Sequence, residues 1–319
     1  MTRATLRRMP TPPPSPNAYW ATPSVAGGEY PGHPQRAEVA PRVQAWVEHG
    51  VTLFVDLTEP GELEPYEAEA QAAGARHLRF AIRDAGVPRD TDLVRDALDA
   101  IDSEVARRGR AYVHCWGGVG RTGTLIGCWL VRHGRDGLAA LSEVQTLYAT
   151  TPKVRRLPRS PENSAQCDYV LAWERIHALE HAARRALEGS SAESPEDSPL
   201  DVALDALIDA SCDPFVRVLQ DALVHPHHHR HQRVAHELQR AARPSTIPFV
   251  RRAIEMGFAH LAYTCSEDDV IGKWLSWILA EIGTDEAVAL LRELAEHENP
   301  GVASAMRYRL ERLGPTKPA

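Results

Sequence analysis

A chain of 319 residues with 43% hydrophobic side chains is long enough for two domains with separate cores. A formal net charge of -7 argues against a general nucleic-acid binder, which would carry a basic excess. The five cysteines (Cys115, Cys128, Cys167, Cys212 and Cys265) are odd in number, scattered and free of Cys-x-x-Cys spacing. Neither a disulfide framework nor a zinc ribbon is indicated, and a reducing cytoplasm fits.

Residues 1–16 read as a disordered leader. Basic residues are followed by Thr11-Pro12-Pro13-Pro14-Ser15-Pro16 and not by the apolar stretch of a signal peptide. No apolar run is long enough to span a bilayer, so a soluble cytoplasmic protein that binds no membrane is expected. Helical spacing of apolar residues then marks 34–49, 61–73 and 91–107, while 51–57, 76–82 and 111–113 read as strands. Helices follow from Arg121, over 137–148 and over 160–187. This alternation predicts an α/β domain over 17–187, a parallel-centred sheet flanked by helices, with its site beyond the carboxyl ends of the strands. Asp56 is expected to cap the turn after its strand.

The acidic, proline-punctuated segment 188–199 reads as a flexible linker. Beyond it, 200–319 shows only helical periodicity. Thr284-Asp285-Glu286-Ala287 before one apolar helix, and Asn299-Pro300 before the next, resemble HEAT-type repeats, with a compact helical bundle as the alternative. A solenoid of that kind would offer a surface to a protein partner. The histidines at 225, 227, 228, 229, 231 and 236 lack metal-ligand spacing and are expected in a solvated loop between helices. Trp274 and Trp277 share one helical face and are expected in the core.

The most informative run is Val113-His114-Cys115-Trp116-Gly117-Gly118-Val119-Gly120-Arg121-Thr122-Gly123. It places a thiol between the end of a strand and the start of a helix, among free backbone N–H groups and beside a guanidinium. Each of these favours the thiolate. The same amides and Arg121 make a cradle for a tetrahedral dianion. A nucleotide-binding turn is disfavoured, because the run lacks Gly-Lys-[Ser/Thr] and Gly-x-Gly-x-x-Gly. A nucleophilic sulfur at the floor of a phosphate-sized nest points to attack on phosphorus.

The run resembles the signature loop of the protein tyrosine phosphatase superfamily: Cys, five residues, then Arg followed by Ser or Thr. Asn17-Ala18-Tyr19-Trp20 with Ala26-Gly27-Gly28-Glu29-Tyr30-Pro31-Gly32 resembles the entry strand of bacterial dual-specificity-like phosphatases. Ser160-Pro161-Glu162-Asn163-Ser164-Ala165-Gln166 resembles the start of the helix that follows their phosphate loop in space, with Ser160 expected as its cap. The similarity covers about residues 17 to 185.

Such a resemblance implies Cys115 as nucleophile, with Arg121 and the segment Trp116, Gly117, Gly118, Val119 and Gly120 holding phosphate. It implies Thr122 as donor to the sulfur and His114 as a support beneath the loop. Asp84, about thirty residues upstream of Cys115, is the expected general acid, with Asp90 and Asp92 behind it and an ordinary turn aspartate as the alternative. Gln166 either orients water at the site or lies on the helix surface. No metal or cofactor is required, since Arg121 and the loop supply the positive potential. A phosphorylated protein is the expected substrate. An inositol polyphosphate or another small phosphomonoester is the alternative, and a catalytically silent phosphate-binding scaffold is the second.

Overall fold

The computed structural model describes residues 11–89, 91–191, 197–210 and 215–313. Most of the expected leader and the centre of the expected linker, residues 192–196, lie outside these, as do Asp90 and Cys212. The chain divides into two compact units, 1–177 and 178–319.

The first unit holds a five-stranded sheet of order β1-β2-β5-β3-β4. Strands β1 (Ala18–Thr22) and β2 (Val25–Gly28) pair antiparallel, and all other pairings are parallel. At the centre, β5 (Ala111–His114) lies between β2 and β3 (Leu53–Asp56), and β4 (Arg76–Arg79) closes the far edge. The two-residue period of the strands sends side chains alternately to two cores. Val113, Ala111, Leu53 and Val55 face one core. Tyr112 and Phe54 face the other, where Tyr112 stacks on Trp46 with ring centroids 3.7 Å apart. The register sets Gly28 and Asp56 on either side of His114, so three strand ends meet at one point.

The helices of this unit are α1 (Val39–Glu48), α2 (Glu67–Ala72), α3 (Thr91–Ala106), α4 (Gly120–Arg132) and α5 (Gly137–Tyr148). Helix α6 (Ser164–Gly189) crosses from the first unit into the second. Two starts differ from the expected ones. Helix α2 begins at Glu67 instead of near Gly61, because Pro65 disfavours helical geometry at the residue before it. Helix α6 begins at Ser164, and Asn163 accepts from the Gln166 amide at 3.0 Å in place of Ser160. The Ser160 hydroxyl instead donates to the Val119 carbonyl at 2.7 Å, tying α6's approach to the signature loop.

The second unit is helical throughout its described residues: α7 (Pro199–Asp209), α8 (Val216–Leu223), α9 (His231–Ala241), α10 (Ile247–Glu255), α11 (Asp268–Ile282), α12 (Asp285–Leu294) and α13 (Pro300–Leu313). Ser198 and Asp201 form a reciprocal capping box on α7. Two expectations are corrected here. Trp277 is 43% exposed, with the Arg309 guanidinium over one face of its indole and no core enclosing the rest. His228 and His231 are buried and stacked, not solvated. Both are buried as neutral rings with every nitrogen engaged. His228 donates to Ala222 O and accepts from the Arg230 amide, while His231 bonds His225 O and the Tyr263 hydroxyl. Among the described residues, no helix is long and apolar enough to cross a membrane.

Candidate active site

Strand β5 ends at His114, and the chain turns at once into the loop that leads to α4. Gly118 makes the turn possible. Its φ of +71° is left-handed, and a Cβ there would sit 2.4 Å from the Gly28 carbonyl carbon. No side chain caps α4, whose cap position is Val119, so its first-turn N–H groups remain available to an anion. Cys115 is buried beneath the loop, 3% exposed, and the Thr122 hydroxyl donates to its Sγ at 3.2 Å.

Arg121 is the most heavily bonded group of the site. Its Nη1 donates to Glu62 Oε2 at 2.8 Å and to Ile82 O at 3.0 Å. Nη2 donates to Glu62 Oε1 at 2.6 Å and to Asp84 Oδ1 at 2.8 Å. Glu62 thus grips the guanidinium with both oxygens, the fork-to-fork geometry that arginine favours. The hydrogen bonds from Arg121 hold the Glu62 carboxyl below its ordinary range. Asp84 stands on a tight turn whose next residue, Ala85, has a φ of +54°. Two residues at the start of α6 fix this turn: Asn163 donates to Ala85 O at 2.9 Å and Gln166 to Gly86 O at 3.0 Å. Gln166 is fully buried, which overturns its placement on the helix surface. Asp92 lies in the first turn of α3, paired with Arg95.

Below the loop, His114 is completely buried. Its Nε2 faces the Tyr66 hydroxyl, and its Nδ1 lies 3.3 Å from Cys115 O. Burial raises the Tyr66 pKa far above that of a free phenol, so the phenol keeps its proton and donates. Nε2 is then the acceptor and Nδ1–H the donor to Cys115 O. Burial also drives the His114 pKa down to about 4, so the ring is neutral. Asp56 caps its turn as expected, accepting from the Thr58 amide at 2.8 Å and hydroxyl at 2.7 Å. Burial alone would raise its pKa, but His114, His77 and Thr58 reverse this and keep it ionised. Arg79 adds a hydrogen bond at 3.0 Å.

A cavity of about 710 Å³ opens over Cys115, lined by Trp116, Gly117, Val119, Gly120, Arg121 and Asp84. The predicted catalytic and phosphate-binding residues therefore converge on one place, with Gly118 serving the backbone turn and His114 and Thr122 beneath. Three participants were not foreseen. Glu62 was expected within a helix. Lys153 and Arg156, from the basic turn after α5, also line the cavity. Lys153 Nζ donates to Gly117 O at 2.7 Å and to Glu29 Oε2 at 2.8 Å. The run Lys153-Val154-Arg155-Arg156 following a helix was the one signal in the sequence that could have placed positive charge here.

Residues 27–135 match the family model described as "Tc-R-P: Polymorphic toxin system, DSP-PTPase phosphatase". Over that stretch the chain is similar to phosphatases of the protein tyrosine phosphatase superfamily. Dual specificity protein phosphatase CDC14B of Mus musculus is 35% identical over 88 residues, 27% of this chain and 16% of that protein. Putative tyrosine phosphatase 067L of Invertebrate iridescent virus 3 is 34% identical over 92 residues, 28% of this chain and 38% of that protein. The chain thus matches well under half the length of these curated relatives. Among solved structures, Tk-PTP in its active form is similar at 25% identity and a TM-score of 0.42, covering 50% of this chain and 97% of that one.

Proposed function

We propose that the chain hydrolyses phosphomonoesters through a phosphocysteine intermediate, with phosphorylated protein as the first-choice substrate. The observation that carries this is the convergence of Cys115, Arg121 and Asp84 on one cavity, with the Thr122 hydroxyl 3.2 Å from the sulfur. The Cys115 thiolate attacks phosphorus in line, forming the S–P bond as the ester P–O bond breaks. The loop amides and Arg121 hold the equatorial oxygens, where charge accumulates. Phosphate takes the place of Asp84 on Arg121 Nη2; the freed Asp84 carboxylate takes up a proton from solvent and, as the acid, passes it to the leaving oxygen. As a carboxylate, Asp84 then takes a proton from water as that water attacks the phosphocysteine and the S–P bond breaks. Thr122 donates to the departing sulfur and stabilises it as thiolate. Gln166 acts on Asp84 through the turn that it anchors, and His114 holds the Cys115 carbonyl from below.

Lys153 and Arg156 on the cavity wall favour a second reading, a small polyphosphate whose additional charge they would meet. The helical unit is assigned a partner-binding role in either case.

The test is hydrolysis of p-nitrophenyl phosphate in EDTA. Cys115→Ser is expected to abolish turnover. Asp84→Asn is expected to lower kcat by about 10² to 10⁴, the range for loss of a general acid. Undiminished turnover in Cys115→Ser would overturn the mechanism, and a folded wild-type protein without activity would favour a phosphate-binding scaffold.

A further inference from the structure

Helices α11 and α13 of the helical unit form a second groove, about 960 Å³ in volume, which phosphatase chemistry does not use. Arg309 lines it while only 4% exposed. Its guanidinium carbon lies 3.4 Å from the centroid of the Trp277 ring, and its Nε donates to Ser276 Oγ at 3.4 Å. Among the described residues, no acceptor is bonded to its four Nη protons and no carboxylate lies within ion-pair distance. The Nη groups are not buried away from solvent, so they stand open to the acceptors of a ligand, while partial burial of the side chain lowers the Arg309 pKa.

The groove's own carboxylates do not fill that role. Asp269 is taken by Lys273 at 3.0 Å, and the exposed Glu281 acts on Arg309 through its charge without forming an ion pair. The remaining walls are aromatic and basic. Trp277 and Tyr308 are 43% and 44% exposed, and the Arg312 guanidinium lies 5.0 Å from the Tyr308 ring centroid. Two exposed rings, each backed by a guanidinium, suit a ligand that is planar and anionic at one point and apolar beside it.

We propose that this groove docks an acidic peptide of a partner protein, one Asp or Glu carboxylate pairing with the Nη groups of Arg309 and the adjoining peptide lying on Trp277 and Tyr308. A nucleic acid is a poor fit, since three bases line the groove in a chain of net charge -7. The site is independent of the phosphatase reading.

Fluorescence anisotropy of the full chain with a fluorescein-labelled peptide of alternating glutamate and leucine tests this, alongside sedimentation with phosphatidylglycerol vesicles. Saturable peptide binding is expected, weakened at least tenfold in Arg309→Lys, which keeps the charge but loses the planar fork. Trp277→Ala and Tyr308→Ala are expected to weaken it similarly. Their exposed rings can be truncated without emptying a core, so they decide the matter if the Arg309 variant misfolds. Cys115→Ser is expected to bind as wild type. Absent saturation, equal affinity in the ring variants, or retention by vesicles without peptide binding would each overturn the proposal.

Discussion

Replacing Tyr66 by Phe isolates the support under the signature loop. The ring stays packed between Phe54, Tyr30 and His77, whose centroids lie 5.6, 5.6 and 5.0 Å away, so no cavity is created. Only the hydroxyl that donates to His114 Nε2 is lost. A buried acceptor left without a donor costs about 1 to 3 kcal/mol. His114 could escape by taking up a proton. With its pKa near 4, that would cost about 4 kcal/mol at pH 7, so it stays neutral and bears the loss. The expected result is a stability loss of about 1 to 3 kcal/mol, read as faster amide exchange in β5 across a urea series. The rate of p-nitrophenyl phosphate turnover is expected to fall with it, since Nδ1 of the same ring holds Cys115 O. A stability change below about 0.5 kcal/mol with unchanged turnover would refute this account, because that is the range of a neutral surface substitution.

Glu62→Gln keeps the shape of the Arg121 partner but removes its charge and one acceptor. A roughly tenfold fall in kcat, about 1.4 kcal/mol, is expected in steady-state assays, and a change under twofold would show that Ile82 O and Leu57 O position the guanidinium unaided. The lowered Glu62 pKa also means that the pair stabilises the fold above ordinary carboxylate pKa values, an effect lost as pH falls through the lower folded value. Acid should loosen the helical unit as well, here by charging side chains that the fold holds neutral. Burial drives His228 to about 4 and His231 to about 2, below the ordinary histidine value of 6.5. The unfolded chain therefore binds protons first, and stability present above pH 6.5 declines on acidification, by about 2 kcal/mol per histidine at about pH 5. Hydrogen exchange in α8 and α9 should accelerate between those pH values; exchange independent of pH, after correction for intrinsic rates, would contradict it.

What the sequence disclosed follows the range of the interactions involved. Cys115, Arg121 and Thr122 are set by a strand end, a glycine turn and a helix start within a single stretch, and local rules place them. Asp84 was found by its spacing and by the turn chemistry around it. Glu62 escaped because its carboxylate meets Arg121 across 59 positions of sequence, and because Pro65 removed the helix in which it was expected. Tyr66 and His114, 48 positions apart, are joined only once β3 and β5 are in register. Ser160 carried the stronger capping signature, yet its hydroxyl was drawn to Val119 O, leaving Asn163 to start α6. In the helical unit, periodicity put Trp277 on an apolar face but could not show that Arg309, on another helix, would cover it.

Trp116, next to the reacting thiol, is 62% exposed at the mouth of the cavity, with its carbonyl pinned by the Tyr30 amide at 3.0 Å. An indole in that position is wetted until something settles over Cys115. Its emission therefore changes with occupancy, and a Trp116→Phe difference spectrum separates that signal from the other six tryptophans. The molecule carries its own optical reporter, which follows ligand arrival before any bond is broken and needs no chromogenic substrate.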